Sequence, residues 1–366
     1  MIRTAFLSAF LAAAAVAGPV EDAIQTIREV RPNGIGHRSA KEAVDTLAGQ
    51  GGAALVPILN AIDGTNPLAD NWLRGAFEGA AASGDVPIAD LRAFFTDTDN
   101  NPRARRLAFE TIRRAEAAAA AELAAAAVED PSPEMRAEAV DALIAQAEDA
   151  EGDEAVAIYR KALPGAPLKR QVDAIAKALK AAGEEVDLQK HYGVITDWRV
   201  VSPFDNKNEK GFDVEYGPER GDLSDPDPAA QYDSEEGKSG WIAFKTDDAE
   251  GTLDLAERVG PLKGTVAYAT TAIESETEQP VELRLSTANA WKMWLNGELL
   301  FEREEYHRGL QFDGYVVLAT LREGRNVVVL KVLQNEQDQP WAQRWSFALR
   351  ITDPYGRAAG FTQAED

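Results

Sequence analysis

Trp294, Tyr306, His307, Arg308 and Trp341 carry the side chains a sugar site requires. An aromatic face suits the apolar side of a pyranose, and polar groups beside it suit the hydroxyls. Trp294 alternates out of phase with Met293 and Leu295, Tyr306 to Arg308 fall in a loop after a hairpin, and Trp341 follows Pro340. Large aromatics also fill sandwich cores. Trp291 and Trp345 read as core, whereas Trp294 and Trp341 read either way. Asp222, Asp225 and Asp227 are the oxygens that would serve calcium as a cofactor, but they lack the spacing and glycine of an EF-hand loop. The stretch therefore reads as a solvated loop with no cofactor, a calcium site being the alternative. The surrounding stretch, Asp205 to Lys238, holds eleven acids and four basic residues, and so long an irregular run is either mobile or functional.

Patterns for catalysis are missing from the sequence. It has no Gly-x-Ser-x-Gly elbow, phosphate loop, dinucleotide fingerprint or zinc helix, and His37, His191 and His307 are scattered. Carboxylates are too numerous to nominate a pair for glycoside cleavage. The absence of cysteine excludes disulfides, thiolate metal sites and a cysteine nucleophile. The chain therefore reads as no enzyme, with no catalytic or metal residues assigned. A hydrolase using the acidic loop and a metal is the remaining enzymatic reading.

The candidate aromatics sit in a half with period two. Val281, Leu283 and Leu285 alternate with polar residues, as do Trp345, Phe347, Leu349 and Ile351. Trp291 to Leu295, Asn296-Gly297 and Glu298 to Phe301 spell a hairpin with a type I′ turn. Tyr315 to Leu321 and Val327 to Leu333 spell another around Glu323-Gly324. Closely spaced turns without intervening helices predict an antiparallel β-sandwich.

The first half has a different period. Ala43 to Leu47, Ala76 to Ala80, Ala108 to Ile112, Ala139 to Leu143 and Gln171 to Ile175 are copies of one pattern. Their central residues, at 44, 77, 109, 140 and 172, are spaced by 33, 32, 31 and 32. Such a period is the mark of stacked helix pairs that bury their apolar faces only against neighbours. Asn66-Pro67, Asn101-Pro102, Asp130 to Pro133 and Gly165 to Pro167 supply helix starts before successive copies. Leu55 to Ile62, Ile88 to Phe95 and Ala155 to Leu163 fit return helices. Arg103, Arg105, Arg106, Arg113 and Arg114 form the one basic cluster, read as solvated helix faces paired to acids or as a site for an acidic partner.

Two resemblances follow from these phrases. Asp130-Pro131-Ser132-Pro133 through Arg136 to Leu143 resembles the HEAT repeat family, which implies a scaffold presenting a surface to a protein partner. Trp291 to Glu298, Gly309 to Asp313 and Leu321 to Val332 resemble the jelly roll of galactose-binding-like domains, similar to the sugar-binding domains of family 2 glycoside hydrolases. Trp198 to Asp205 resembles the opening strand of such modules. The expected class is α+β and multidomain, an N-terminal α-solenoid of helical hairpins followed by a C-terminal antiparallel sandwich. The expected bounds are a signal peptide over 1–17, the solenoid over 18–191, the sandwich over 192–356 and a tail over 357–366.

Arg3, the apolar run from Ala5 to Val16 and Ala15-Val16-Ala17 form the three parts of a secretory signal, too short to span a bilayer. They place the protein in the periplasm or outside the cell. The formal net charge of −23 repels nucleic acid and anionic lipid. The expectation is an exported scaffold or binding protein, its solenoid contacting a protein partner and its sandwich capping the solenoid or binding carbohydrate. The alternative is a dedicated carbohydrate-binding protein.

Overall fold

The computed structural model describes residues 18–64 and 66–364, and the signal segment lies outside them. The chain forms two compact units that meet in sequence between Ile175 and Ala176.

The first unit is helical: α1 (Pro19–Arg28), α2 (His37–Gln50), α3 (Gly52–Ala61), α4 (Pro67–Ser83), α5 (Ile88–Thr96), α6 (Pro102–Ala115), α7 (Ala117–Ala126), α8 (Pro133–Glu148), α9 (Gly152–Ala162) and α10 (Lys169–Ala181), the last running across the division. The five copies of the pattern occupy α2, α4, α6, α8 and α10, every second helix. Proline at the first turn starts α4, α6 and α8, where its missing N–H costs nothing. Asn66 and Asn101 also cap by accepting backbone N–H groups with their side chains. Ala40, Leu47, Leu73, Phe77, Ala108, Ile112 and Ala139 bury one face of successive helices in a continuous core.

Arg105, read from the sequence within a solvated or partner-facing cluster, is instead buried. Its Nε donates to Phe95 O at 2.7 Å and its Nη1 to Asp130 Oδ1 at 2.9 Å. Arg136 is buried in the same way, donating to Asp130 O at 2.9 Å, Pro131 O at 2.8 Å and Gly165 O at 3.2 Å. Each arginine stands four residues before the central residue of its copy and reaches the turn that precedes the helix of the next copy. Arg106 and Arg113 pair with Glu110 and Glu138.

The second unit is built from β1 (Asp197–Asp205), β2 (Gln231–Ser234), β3 (Gly237–Gly240), β4 (Ile242–Lys245), β5 (Leu253–Asp254), β6 (Thr265–Ser275), β7 (Gln279–Thr287), β8 (Ala290–Leu295), β9 (Glu298–Arg303), β10 (Tyr315–Leu321), β11 (Gly324–Gln334), β12 (Ser346–Thr352) and β13 (Thr362–Gln363). One sheet has the order β4-β1-β6-β11-β8-β9, and a second the order β10-β7-β12-β5, so β10 and β11, expected as the two strands of one hairpin, cross between sheets at Glu323-Gly324 and pair with β7 and with β6 and β8 instead. All named pairings are antiparallel. Beyond the register of β1, which ends on Thr270, β13 takes up Ile273 and Glu274 of β6. The span expected as a tail thus contributes a strand, anchored by Gln363 Oε1, which accepts from Thr196 N at 2.8 Å.

Asn296 and Gly297 both have positive φ, 52° and 82°, as the type I′ turn demands. Asn296 Nδ2 donates to Asn326 Oδ1 at 2.9 Å, so the two asparagines clamp adjacent turns.

The larger sheet is buried on both faces. Trp198, Ala269, Trp291, Met293, Val328 and Leu330 face the second sheet, packed against Leu283, Phe347 and Leu349. Their strand neighbours Val201, Tyr268, Trp294, Val327 and Val329 face the other way, under Phe212 and the partly buried Tyr216, Leu223 and Tyr232. The polar stretch after β1, expected as a solvated loop, is therefore laid across the sheet as a strap, held by a few aromatics spaced singly among charges. Beneath it Lys331 is fully buried and donates to Phe212 O at 3.2 Å, Val214 O at 2.8 Å and Glu219 Oε1 at 2.7 Å. The Tyr268 hydroxyl donates a hydrogen bond to the same carboxylate. Burial pulls the Lys331 ammonium below its ordinary range, with Glu219 pulling the other way. Burial and the Glu219 charge push the Tyr268 phenol well up.

Candidate functional site

Three of the five candidate residues come together at one edge of the β unit. Tyr306 and His307 lie in the loop between β9 and β10, and Trp341 lies in the short 3-10 turn Pro340–Ala342 after β11. The His307 and Trp341 rings meet edge to face, their centroids 5.5 Å apart, and Tyr306 lies 6.4 Å from His307. Trp341 keeps 62% of its surface exposed.

Asn335 and Asn206, both buried, fix this edge from behind. Asn335 Nδ2 donates to Glu209 Oε1 at 3.0 Å, which turns its Oδ1 toward His307 Nε2, 2.7 Å away. An amide oxygen only accepts, so Nε2 carries the proton. The same oxygen accepts from Gln337 N at 3.2 Å. Asn206 Nδ2 donates to the Tyr306 hydroxyl and to Gln334 O, each at 3.1 Å, while its Oδ1 accepts from Gly211 N at 3.0 Å. Asn208 N donates to Glu336 Oε2 at 2.7 Å and ties the strap's first turn to the loop after β11.

Backbone strain concentrates here. Asn208, Glu209 and His307 have φ of 58°, 59° and 56°, in the left-handed region that costs a residue with a Cβ of order 1 kcal/mol or more. The compensating bonds are those of Asn206, Asn335 and Glu336. Burial, then the charges of Asp213 and Glu209, raises the Glu304 carboxyl above its usual range. Burial, with Glu209 and Glu304 adding to it, pushes the Tyr306 phenol up to about 12 despite the bond from Asn206. The edge thus offers an exposed indole, a fixed imidazole, a phenol that stays protonated, and carboxylates. Groups of these kinds are suited to stacking against and hydrogen-bonding polyhydroxylated molecules.

The other two candidates lie elsewhere in role. Trp294 is 6% exposed and packs in the apolar cluster under the strap, with no face free for a ligand. Arg308 Nη1 bonds Glu305 Oε2 at 2.6 Å, and no hydrogen bond joins it to His307 or Trp341 among the described residues. Asp222 Oδ1 accepts from Ser224 N and Asp227 Oδ1 from Ala229 N, while Asp225 lies 3.6 Å from Arg325. Among the described residues no three histidine, aspartate or glutamate side chains converge as a metal site requires. Sequence reasoning missed Asn206, Glu209, Glu304 and Asn335. The polar run Asn335 to Gln339 immediately before Pro340 was the available signal for the last of these.

No family model matches the chain, and no curated protein sequence matches it. Among solved structures it is similar to the β-glucosidase of Kluyveromyces marxianus at 11% identity, over 56% of this chain and 29% of that one, with a TM-score of 0.26. The glucose complex of the same enzyme matches at 11% identity over 56% and 30%, with a TM-score of 0.27. A GH31 α-xylosidase from Xanthomonas citri matches at 13% identity over 34% and 18%, with a TM-score of 0.17. The chain spans under a third of the length of these structures. Likenesses this slight carry no argument about the site. No described helix is long and apolar enough to cross a membrane.

Proposed function

We propose that this protein is an exported, non-catalytic binding protein whose β unit takes a carbohydrate at the Tyr306–His307–Trp341 edge and whose helical unit meets a protein partner. The carbohydrate reading is carried by Trp341, a large indole 62% exposed beside an imidazole that Asn335 holds in one orientation. A side chain kept only for packing would be covered; this one presents its ring while the residues behind it are locked. The absence of recognisable catalytic motifs supports a binding role, and the N-terminal run from Arg3 to Ala17 supports export. The protein-docking reading rests on the stacked helix pairs, which create extended binding surfaces in such proteins.

The test is retention of the intact chain on a broad panel of glycans and polysaccharides. Trp341→Ala is expected to lower retention roughly tenfold, about 1.4 kcal/mol, with an unchanged melting temperature. Absence of retention across the panel overturns the carbohydrate reading. Turnover of a polysaccharide that Glu304→Gln abolishes overturns the non-catalytic one.

A further inference from the structure

A groove of about 410 Å³ runs between the first turns of α4 and α6, lined by Asp70, Asn71, Arg74, Pro102, Arg103 and Arg106 among others. Its volume is within the range of ligand clefts. Asp70 is 9% exposed, and among the described residues its Oδ2 has no hydrogen-bond partner. A buried carboxylate oxygen left without a donor is costly to the folded state, so a ligand that brings an N–H here gains what the fold forgoes. On the rim, Arg74 and Arg103 are exposed and make no ion pair or side-chain hydrogen bond among the described residues. Arg106, by contrast, is engaged with Glu110 and Glu138. Glu134, at another edge of the groove, is occupied by the Ser132 hydroxyl at 2.9 Å.

Among the described residues Arg74 and Arg103 have no hydrogen-bonded acidic partner, Arg103 acting on Asp70 through its charge alone, and they stand out as cationic on a chain with net charge −23. They match carboxylates, while the acceptor beneath them matches a backbone amide. We infer that this groove binds an acidic peptide segment, one backbone N–H donating to Asp70 Oδ2 and flanking side-chain carboxylates pairing with Arg74 and Arg103. This rests on the reading that the helical unit meets a protein partner, and it names the place and the chemistry of that partner.

Fluorescence anisotropy at low salt, with the intact chain and labelled ten-residue peptides that are glutamate-rich, neutral or lysine-rich, tests it. The glutamate-rich peptide is expected to bind at least tenfold more tightly than the others. Arg74→Glu with Arg103→Glu is expected to weaken that binding at least tenfold, and Asp70→Ala several-fold, with melting temperatures showing that both variants are folded. Undiminished binding by the double variant overturns the groove assignment while leaving a peptide-binding helical unit standing. If no peptide of any charge binds, the groove and the protein-docking reading fall together. If free glutamate displaces the peptide at a concentration equal to the peptide's own Kd, the groove takes a small acid and the peptide assignment is overturned.

Discussion

Replacing Lys331 by methionine should release the strap that covers the outer face of the larger sheet. The ammonium is fully buried and serves Phe212 O, Val214 O and Glu219 Oε1 at 3.2, 2.8 and 2.7 Å. Methionine fills much the same volume but donates nothing, leaving two carbonyls unpaired and the Glu219 carboxylate, 9% exposed, with only the Tyr268 hydroxyl. Breaking a buried pair from one side costs about 3–5 kcal/mol. In a unit of this size each kcal/mol shifts the melting temperature by about 2–4 °C, so the transition of the β unit should fall by about 6–20 °C. The second substitution, Glu219→Gln on the Lys331→Met background, removes the stranded charge and supplies an N–H₂ for the vacated carbonyls. It should recover at least half of the loss. Calorimetry of the intact chain reads both numbers, and limited proteolysis between 206 and 241 reports whether the strap has lifted. A Lys331→Met protein within about 1 kcal/mol of the parent, the scale of an ordinary substitution, or a double variant whose losses simply add, would refute the reasoning.

Other expectations are more local. Trp294→Ala should destabilise the β unit by about 3–5 kcal/mol, the cost of emptying a buried aromatic site, and chemical denaturation would read it; an unchanged midpoint would mean the indole is not core. Asp70 has its carboxyl raised by burial and by the neighbouring Asp63 charge, so the folded state binds its proton more tightly than the unfolded chain. Stability should fall as pH rises through that raised value, and Asp70→Asn should flatten this part of the profile and add about 1 kcal/mol at pH 7. Asp313 behaves oppositely. Burial opposes its charge, but Arg350 and then Arg284 hold its carboxyl below the usual range, with Arg350 Nε at 2.6 Å and Arg284 Nη1 at 2.9 Å. Its contribution is present above the unfolded carboxyl's ordinary value, near 3.9, and is lost as pH falls through the lower folded one. Thermal melts of Asp313→Asn should therefore lose most of their difference from the parent in strong acid; a difference that stays constant from pH 7 to pH 2 would contradict this.

Local pattern disclosed the elements, while the site depended on distant residues. The copies at 44, 77, 109, 140 and 172 each became a helix because an apolar face at helical spacing needs only neighbouring helices to bury it. Asn296-Gly297 made its turn for reasons internal to two residues. The arginines misled because composition does not distinguish Arg105, buried against Asp130, from Arg106 beside it, half-exposed and paired to Glu110. The run Val327 to Leu333 showed no alternation because β11 is buried on both faces, which signals a covering layer without saying what forms it. That layer came from the most polar stretch of the chain, where Phe212 and Tyr216 are too isolated for any periodicity. At the site, Asn206 and Asn335 act from positions 129 residues apart on a shared edge, and the left-handed backbone of Asn208 and Glu209 follows from tertiary bonds, not local propensity.

The pairing of β13 with β6 bears on the order in which a growing chain can fold. Helices α1 to α8 contact neighbours a few dozen residues away, so they can pack while later residues are still being made. The larger sheet has no such option. Its strand β6 sits between β1 and β11, and the span of β6 beyond β1 stays open until Thr362 and Gln363 arrive. Until then Ile273 and Glu274 present unpaired backbone on that side, a template for any other extended segment. Synthesis of the β unit therefore passes through a stage in which half the protein is complete and the other half displays a vacant strand position, and a holding factor would be most useful during that interval.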